Sequence, residues 1–368
     1  MDLADLSPNQ RVLLDLIRRL SPVERASLTA QTGLTQQSIH RIVSGLLDLG
    51  LVQTRAPERS LPGKPSPLLS LRPEAAYGAG VLVNTDSAVL CLVDLTCARV
   101  ALRRIEEGLP DRAAGIARLK SEFDALLAEA GVPRERVCGL GVALPGYFTG
   151  TPGHMNSPEP LEDWSLVDFR PELEAAFGLS VLLENSATAG AIGESLIGAG
   201  RRYRSFAYLG FDYGFGGGLV FDGEVFRGPR GNAGELSHMF LGDEIENRPA
   251  LRLLMAELRR SGVEVASLPD LVARFDPLWP GVENWLETVM PQVHRVVRAL
   301  HGVLDPDAIV FGGQLPPALA EMMIARIVPL QSHRYDVPMP GPVLLTGQTE
   351  TDPAALGAAI TPLKHIFF

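Results

Sequence analysis

The stretch Val181-Leu182-Leu183-Glu184-Asn185-Ser186-Ala187-Thr188-Ala189-Gly190-Ala191-Ile192-Gly193-Glu194 decides the fold. Its apolar start predicts the end of a buried strand, and the small residues after it predict a helix. The polar corner Glu184-Asn185-Ser186 lies between the two. In doubly wound α/β folds, ligands collect where strands end and helices begin. We therefore expect an α/β protein with a ligand site at this corner.

Length and composition bound the class of protein. A chain of 368 residues predicts two or three domains. Its 46% hydrophobic and 21% charged residues are ordinary for a globular protein. The sequence contains no uninterrupted apolar run of the ~20 residues that a membrane span needs, and the acidic N-terminus lacks the order of a signal peptide. Three scattered cysteines suit a reducing compartment. We expect a cytoplasmic protein with no membrane partner.

Charge divides the chain into two unequal parts. Residues 1–73 carry nine Lys/Arg against six Asp/Glu, whereas the remainder carries 24 against 37 within a total net charge of −10. We call residues 1–73 the head and the remainder the body. A basic head on an acidic body predicts that the head contacts a polyanion such as DNA.

The head also has the spacing of a helix-turn-helix. Ser7-Pro8-Asn9-Gln10 and Ser21-Pro22-Val23-Glu24 both match a capping box with proline at the first helical position. A turn at Thr32-Gly33 follows, and Thr35 is the predicted cap of a third helix that runs to about Leu49. That third helix is the predicted element for the major groove. A three-helix cap used for dimerisation is the alternative.

The predicted DNA-contacting residues lie on this helix and on a following wing. Amides pair with adenine edges and arginine with guanine or phosphate, and a cation on a stiff loop can enter a minor groove. The wing consists of strands near 51–53 and 68–71 around a Pro/Gly-rich tip. The predicted contacts are Gln36, Gln37, His40, Arg41, Arg55 and Lys64.

Six segments of the body contain further motifs. They are the strand pair within 77–95, the segment Gly139 to Gly146, the segment His154-Met155-Asn156-Ser157, the segment Gly231-Asn232-Ala233-Gly234-Glu235-Leu236-Ser237-His238, the strand within 304–315 and the helix around 354–359. Taken in this order with the head, the chain resembles transcriptional regulators of the ROK family (repressors, open reading frames and kinases of carbohydrates).

The resemblance implies the architecture. We expect a winged helix-turn-helix domain over 1–73, followed by a two-lobed actin-like ATPase (ribonuclease H-like) body with lobes at 74–200 and 201–368. It also implies that Asn185, Glu235 and His238 bind sugar hydroxyls, with Gly146 and Asn156 behind them. The alternative for Glu235 and His238 is a buried pair that braces a turn.

Two departures from the family pattern fall on kinase chemistry. Kinases of the family carry Asp after Asn at the corner, where it takes a proton from the sugar hydroxyl, but this chain has Ser186. The phosphate-binding turn of the family needs glycine, because backbone amides must approach the phosphates closely. Here the turn is Val83-Asn84-Thr85-Asp86-Ser87. No catalytic residue is therefore predicted, and the chain is not expected to be an enzyme.

A third departure falls on the zinc cluster that the resemblance implies after His238. The segment 239–249 contains no cysteine, and one histidine among scattered acids does not make a tetrahedral thiolate site. We predict no structural zinc and no cofactor. The family's trailing sugar-binding glutamate has no sure counterpart, and Glu244 and Glu246 both remain open for that role.

The sequence-based hypothesis is a sugar-responsive DNA-binding transcriptional regulator, a repressor of carbohydrate-use genes, with a catalytically inactive sugar-kinase-like body. Its expected partners are a double-stranded DNA operator, a sugar or sugar-derivative effector and further copies of itself in a homodimer or homotetramer. A ligand-blind regulator controlled by a protein partner is one alternative. An ATP-dependent sugar kinase is the other.

Overall fold

The structure is a computed structural model that describes residues 6–55, 67–328, 333–334, 337–349 and 352–368. Within these ranges, no helix combines the length and the apolar character that crossing a bilayer requires.

The head is built from helices and a strand pair in the order that the sequence predicts. They are α1 (Pro8–Leu20), α2 (Arg25–Thr32), α3 (Gln36–Asp48), β1 (Val52–Arg55) and β2 (Leu68–Leu71). The Ser7 side chain and Gln10 form the predicted capping box, and the Thr35 hydroxyl accepts from the Ser38 amide. Strands β1 and β2 pair antiparallel. The helices and strands together form the predicted winged helix-turn-helix.

The second predicted capping box is wrong. Helix α2 begins at Arg25, and Glu24 caps it without a side-chain hydrogen bond. The reason lies far along the chain, because Val23 exchanges both backbone hydrogen bonds with Leu69 of β2. This pairing holds residue 23 extended and delays the start of the helix.

The next part of the chain folds around one mixed sheet. Its strands are β3 (Tyr77–Val83), β4 (Ala88–Asp94), β5 (Arg99–Ile105), β6 (Val137–Leu144) and β9 (Val181–Asn185), ordered β5-β4-β3-β6-β9. The strands β7 (Tyr147–Phe148) and β8 (Met155–Asn156) form a short separate pair, and the helices are α4 (Arg112–Ala130), α5 (Arg170–Phe177) and α6 (Ser186–Ile197). Strands β3, β6 and β9 run parallel, so β6 and β9 end at the same edge.

A second sheet follows in the order β12-β11-β10-β13-β16. Its strands are β10 (Phe206–Phe211), β11 (Phe215–Phe221), β12 (Glu224–Phe226), β13 (Ala308–Gly313) and β16 (Val343–Thr346); β14 (His333–Arg334) and β15 (Val337–Pro338) pair with each other. The helices are α7 (Asp243–Glu246), α8 (Leu251–Arg260), α9 (Leu268–Arg274), α10 (Val282–Leu304), α11 (Pro317–Ala325) and α12 (Pro353–Phe367). The two sheets with their flanking helices are the two lobes of the predicted actin-like fold.

Helix α12 is the centre of the body, and it packs by backbone contact. A Cβ atom added at Gly357 would overlap the carbonyl oxygen of Ala189 in α6. One added at Gly78 of β3 or Gly141 of β6 would overlap a carbonyl oxygen of α12. Only glycine allows this approach. The first sheet, α12 and α6 therefore form one closely packed unit.

Candidate functional site

The five residues predicted to bind a sugar line one cavity of about 650 Å³. They come from four different segments: Asn185 from the end of β9, Gly146 from the turn after β6, Asn156 from β8, and Glu235 and His238 from the segment between β12 and α7. The carboxyl ends of parallel strands meet at one edge of a sheet, and that edge is where α/β folds place ligands.

Asn185 joins three of these segments. Its Oδ1 accepts from the amides of Ala187 at 2.8 Å and Thr188 at 3.1 Å, which caps α6. Its Nδ2 donates to the Gly146 carbonyl oxygen and, at 3.3 Å, to Oε1 of Glu235. The side chain is 7% exposed. Any displacement of Gly146 or Glu235 therefore acts directly on the first turn of α6.

The backbone conformation and the close packing at residue 146 both require glycine. Its φ of +125° is rarely adopted by residues with a side chain. A Cβ atom at this position would also overlap the carbonyl oxygen of Asn156. The glycine thus brings the turn after β6 against β8 and holds Asn156 at the cavity wall.

Tyr147 is a cavity residue that the sequence did not single out. Its hydroxyl accepts from Nδ2 of Asn156 at 2.8 Å, and its ring meets the His238 ring edge-on with centroids 6.4 Å apart. The aromatic face, the amide and the imidazole form one wall. Apolar faces beside a few convergent polar groups are typical of small-molecule sites.

Two carboxyl groups in the cavity have raised pKa values. Burial raises the pKa of Glu235 to about 7. Burial, and after it the charge of Asp352, raises the pKa of Asp212 to about 7. Each group is therefore divided between its neutral and charged forms near neutral pH, so it can donate or accept a hydrogen bond. Sugar hydroxyls need both.

Glu244 and Glu246, the two candidates for the family's trailing sugar-binding glutamate, both lie outside the cavity lining. Glu244 is bound by both guanidinium nitrogens of Arg295 at 2.6 and 2.7 Å, and this pairing lowers its pKa to about 2. Neither Glu244 nor Glu246 lines the cavity, whose nearby wall is formed by Arg248 and Arg252 instead. No sequence motif pointed to these arginines.

Residues that depart from the kinase pattern of the family also line this cavity. Ser186, Asn84 and Thr85 line it. In the hairpin turn, the Asn84 amide donates to the Ser87 carbonyl oxygen at 2.8 Å, so that amide is occupied within the turn. The described residues contain no group of three or more His, Cys, Asp or Glu side chains placed to hold a metal.

A second surface lies on the head. Gln36, Gln37, His40 and Arg41 are all exposed on α3, and Arg55 is exposed at the end of β1. Ile39, Val43 and Leu46 on the opposite face of α3 are buried in the core that α3 shares with α1, α2 and β1. Lys64 and the wing tip lie outside the described residues.

The head contacts the body through Arg18 of α1. Its Nη1 donates to the Leu196 carbonyl oxygen near the end of α6 at 2.8 Å, and its guanidinium lies 5.3 Å from the ring centre of Phe368. The Arg18 side chain is 7% exposed. Helix α6 therefore begins at the cavity and ends at the head.

Comparison with known proteins identifies the family. The model of the ROK family matches residues 83–364. The chain belongs to the ROK family.

Several curated proteins are similar to this ROK chain along its length. A protein of Sinorhizobium fredii, y4fQ, is 28% identical over all of this chain and 93% of its own length. The xylose repressor of Bacillus subtilis is 27% identical, over 65% of this chain and 63% of the repressor, so the match spans less than two-thirds of that protein. The DNA-binding transcriptional repressor Mlc of Escherichia coli is 26% identical over 84% of this chain and 82% of its own.

Solved structures share the ROK fold. A ROK family transcriptional regulator described as a homologue of the E. coli Mlc protein superposes with a TM-score of 0.67 at 19% identity, covering 98% of this chain and 96% of its own. The ROK hexokinase of Thermus thermophilus superposes with a TM-score of 0.58 at 24% identity, covering 77% of this chain and 97% of its own. The regulator also covers the head. The hexokinase covers a smaller share of this chain.

Proposed function

We propose that this protein is a DNA-binding transcriptional regulator, a repressor, whose two-lobed body binds a sugar or sugar derivative between Asn185, Glu235 and His238. The observation that carries the proposal is the convergence of all five predicted ligand residues on one cavity, in a chain that also has an exposed helix-turn-helix surface. The similarity to the xylose repressor, over 65% of this chain, and to Mlc, over 84%, supports it.

The proposed organisation follows the elements of the fold. Residues 1–73 form the DNA-binding domain, 74–200 the first lobe and 201–368 the second, except that α12, at the end of the last range, packs on the sheet of the first lobe. Gln36, Gln37, His40 and Arg41 enter the major groove, and Arg55 and Lys64 contact the backbone or the minor groove. A homodimer or homotetramer in the cytoplasm would place two heads on a two-fold symmetric operator.

We propose that α6 couples the two sites. Ligand contact with Glu235 or Gly146 changes the hydrogen bonds that hold Asn185 at the start of the helix. Twelve residues, about 18 Å at 1.5 Å per residue, separate that end from the Arg18 contact at the other. The head then has two positions, each linked to one state of the cavity. A ligand shifts the equilibrium between them only by the difference between its affinities for the two states.

The body is proposed to lack kinase activity. Ser186 has no basicity at neutral pH, and the Asn84 amide is occupied within its turn. These features support a binding role for the cavity.

Binding to the DNA upstream of the protein's own gene tests the proposal. Fluorescence anisotropy at fixed salt, repeated with a panel of sugars, should show specific binding that one of the panel shifts. Glu235→Ala should abolish the shift and leave DNA binding intact. Arg41→Ala should weaken DNA binding by about 1–3 kcal/mol, whereas Arg19→Ala, on α1, should not. An effector shift that survives Glu235→Ala removes the sugar-site assignment.

A further inference from the structure

Arg248 and Arg252 form a pair of cations on the cavity wall. Arg248 precedes α8 and Arg252 lies in its first turn, and both line the cavity that contains Asn185 and Glu235. Both residues are half-buried. Within the part of the chain that the structure describes, neither guanidinium makes an ion pair or a side-chain hydrogen bond with a protein group.

The pair is electrostatically unfavourable without a ligand. Burial lowers the pKa of Arg248, the neighbouring charge of Arg252 lowers it further, and Glu246 only partly opposes this. Two like charges in a partly desolvated wall repel each other more strongly than they would in water. An anion between them would remove that repulsion, and guanidinium groups bind carboxylates and phosphates through two parallel hydrogen bonds.

The backbone near the pair adds to the positive potential. Helix α8 has ten residues, no acidic residue in its first turn and no side-chain cap. Its N-terminus therefore carries a partial positive charge, which is partly offset because the Leu251 amide donates to the Asp212 carbonyl oxygen at 2.9 Å. The acids that share the cavity offset only part of the charge of the two arginines. Glu235 and Asp212, each with a pKa of about 7, together carry about one negative charge at pH 7, and Glu159 is exposed to solvent at the rim.

We propose that the effector is an anionic sugar derivative, a sugar that bears a carboxylate or a phosphate group. Arg248 and Arg252 bind the anionic group, while Asn185, Glu235 and His238 bind hydroxyls of the ring. This proposal rests on the proposed function above and names the class of its ligand.

Matched neutral and anionic sugars test the proposal by calorimetry on the full-length protein at fixed ionic strength. The probes are glucose, glucuronate and glucose 6-phosphate, together with xylose and xylose 1-phosphate; inorganic phosphate is the anion without a sugar. At least one anionic probe should bind at least about tenfold more tightly than its neutral parent, since hydrogen bonds to charged groups are the strong ones. The carboxylate and phosphate arms show which anion is used.

Substitutions of Arg248 and Arg252 test whether these residues cause the tighter binding of the anionic probe. Arg248→Gln and Arg252→Gln should each weaken binding of the anionic probe by about tenfold to a hundredfold, without lowering the unliganded melting temperature. Arg252→Lys keeps the charge and should retain part of the affinity. Arg259→Gln, on the exposed part of the same helix, is the matched control and should bind as the wild type does.

Three results would overturn the inference: a neutral parent that binds as tightly as its anionic partner, an anionic probe whose binding ignores both arginine variants, or inorganic phosphate that binds as tightly as the sugars. Its failure is distinguishable from that of the proposed function. If a neutral sugar binds and Glu235→Gln weakens that binding, the sugar site stands and the anionic class falls. If no probe binds in a Glu235-dependent manner, both fall.

Discussion

The resemblance to the kinases of the family implies that Ser186 takes the position of their catalytic aspartate, and we propose that this replacement removes the kinase chemistry. The neighbouring turn uses its Asn84 amide internally. Two separate changes, in two different segments, therefore bear on the same chemistry.

Restoring the aspartate alone should not restore a kinase. In Ser186→Asp, we expect no ATP-dependent turnover in a coupled ADP-release assay with glucose or xylose, because the phosphate-binding turn is still missing. The wild type should be equally inactive. Turnover in either protein would contradict the interpretation of the body as a binding domain.

Glu235 makes a pH-dependent contribution to stability. Its pKa rises from the ordinary 4.5 to about 7 in the folded protein, so the folded state binds more protons than the unfolded state between these values. The free energy of unfolding therefore falls as pH rises through this window. Glu235→Gln should be more stable than the wild type at pH 8, by about 1–3 kcal/mol, and equal to it near pH 4.

Thermal unfolding at several pH values measures the difference. Asp212 titrates in both proteins and cancels in the comparison. The exposed residue Glu287 provides the matched control Glu287→Gln, whose melting temperature should follow that of the wild type. A constant offset between Glu235→Gln and wild type at all pH values would refute the assignment.

At the scale of the element, α6 reaches from the effector cavity to the head. Arg18→Gln shortens the side chain that bonds the Leu196 carbonyl oxygen. We expect operator affinity without effector to persist, since α3 is unchanged, and the effector-induced shift to shrink, because coupling energies of this kind are about 1–3 kcal/mol. Anisotropy titrations with and without effector measure it.

Arg19→Gln is the control for this variant. Arg19 lies next along α1 and pairs with Asp15, 3.0 Å away. It should respond to effector as the wild type does. An undiminished effector-induced shift in Arg18→Gln would show that the Arg18 contact does not couple effector binding to operator affinity.

The elements also show what sequence patterns can predict. The caps at Ser7 and Thr35 depend on residues three positions away, so the local sequence contains them. The start of α2 depends on Val23 pairing with Leu69, which no local pattern shows. Likewise Asn185, Glu235 and His238 were predicted because they lie in recognisable segments, whereas Arg248 and Arg252 acquire meaning only when the folded chain brings α8 to the cavity.

For the whole molecule, the contact of α12 with α6 and the first sheet is the central packing interaction. Gly357→Ala would force a methyl group into the Ala189 carbonyl oxygen, and overpacking of this kind costs about 1–3 kcal/mol. Gly302, in the last turn of α10, has open space around its Cβ position. Gly302→Ala should be neutral or stabilising by up to about 1 kcal/mol. Chemical denaturation of both variants measures the contrast; equal effects would contradict it.

This packing has a consequence for genetics. A defect caused by a bulky side chain can usually be suppressed by trimming its neighbour. Around Gly357, Gly78 and Gly141 the obstructing atoms are carbonyl oxygens, which every amino acid carries. A selection for revertants of Gly357→Ala should therefore return true reversion to glycine, or compensating changes that add stability elsewhere. It should not return substitutions at Ala189 itself.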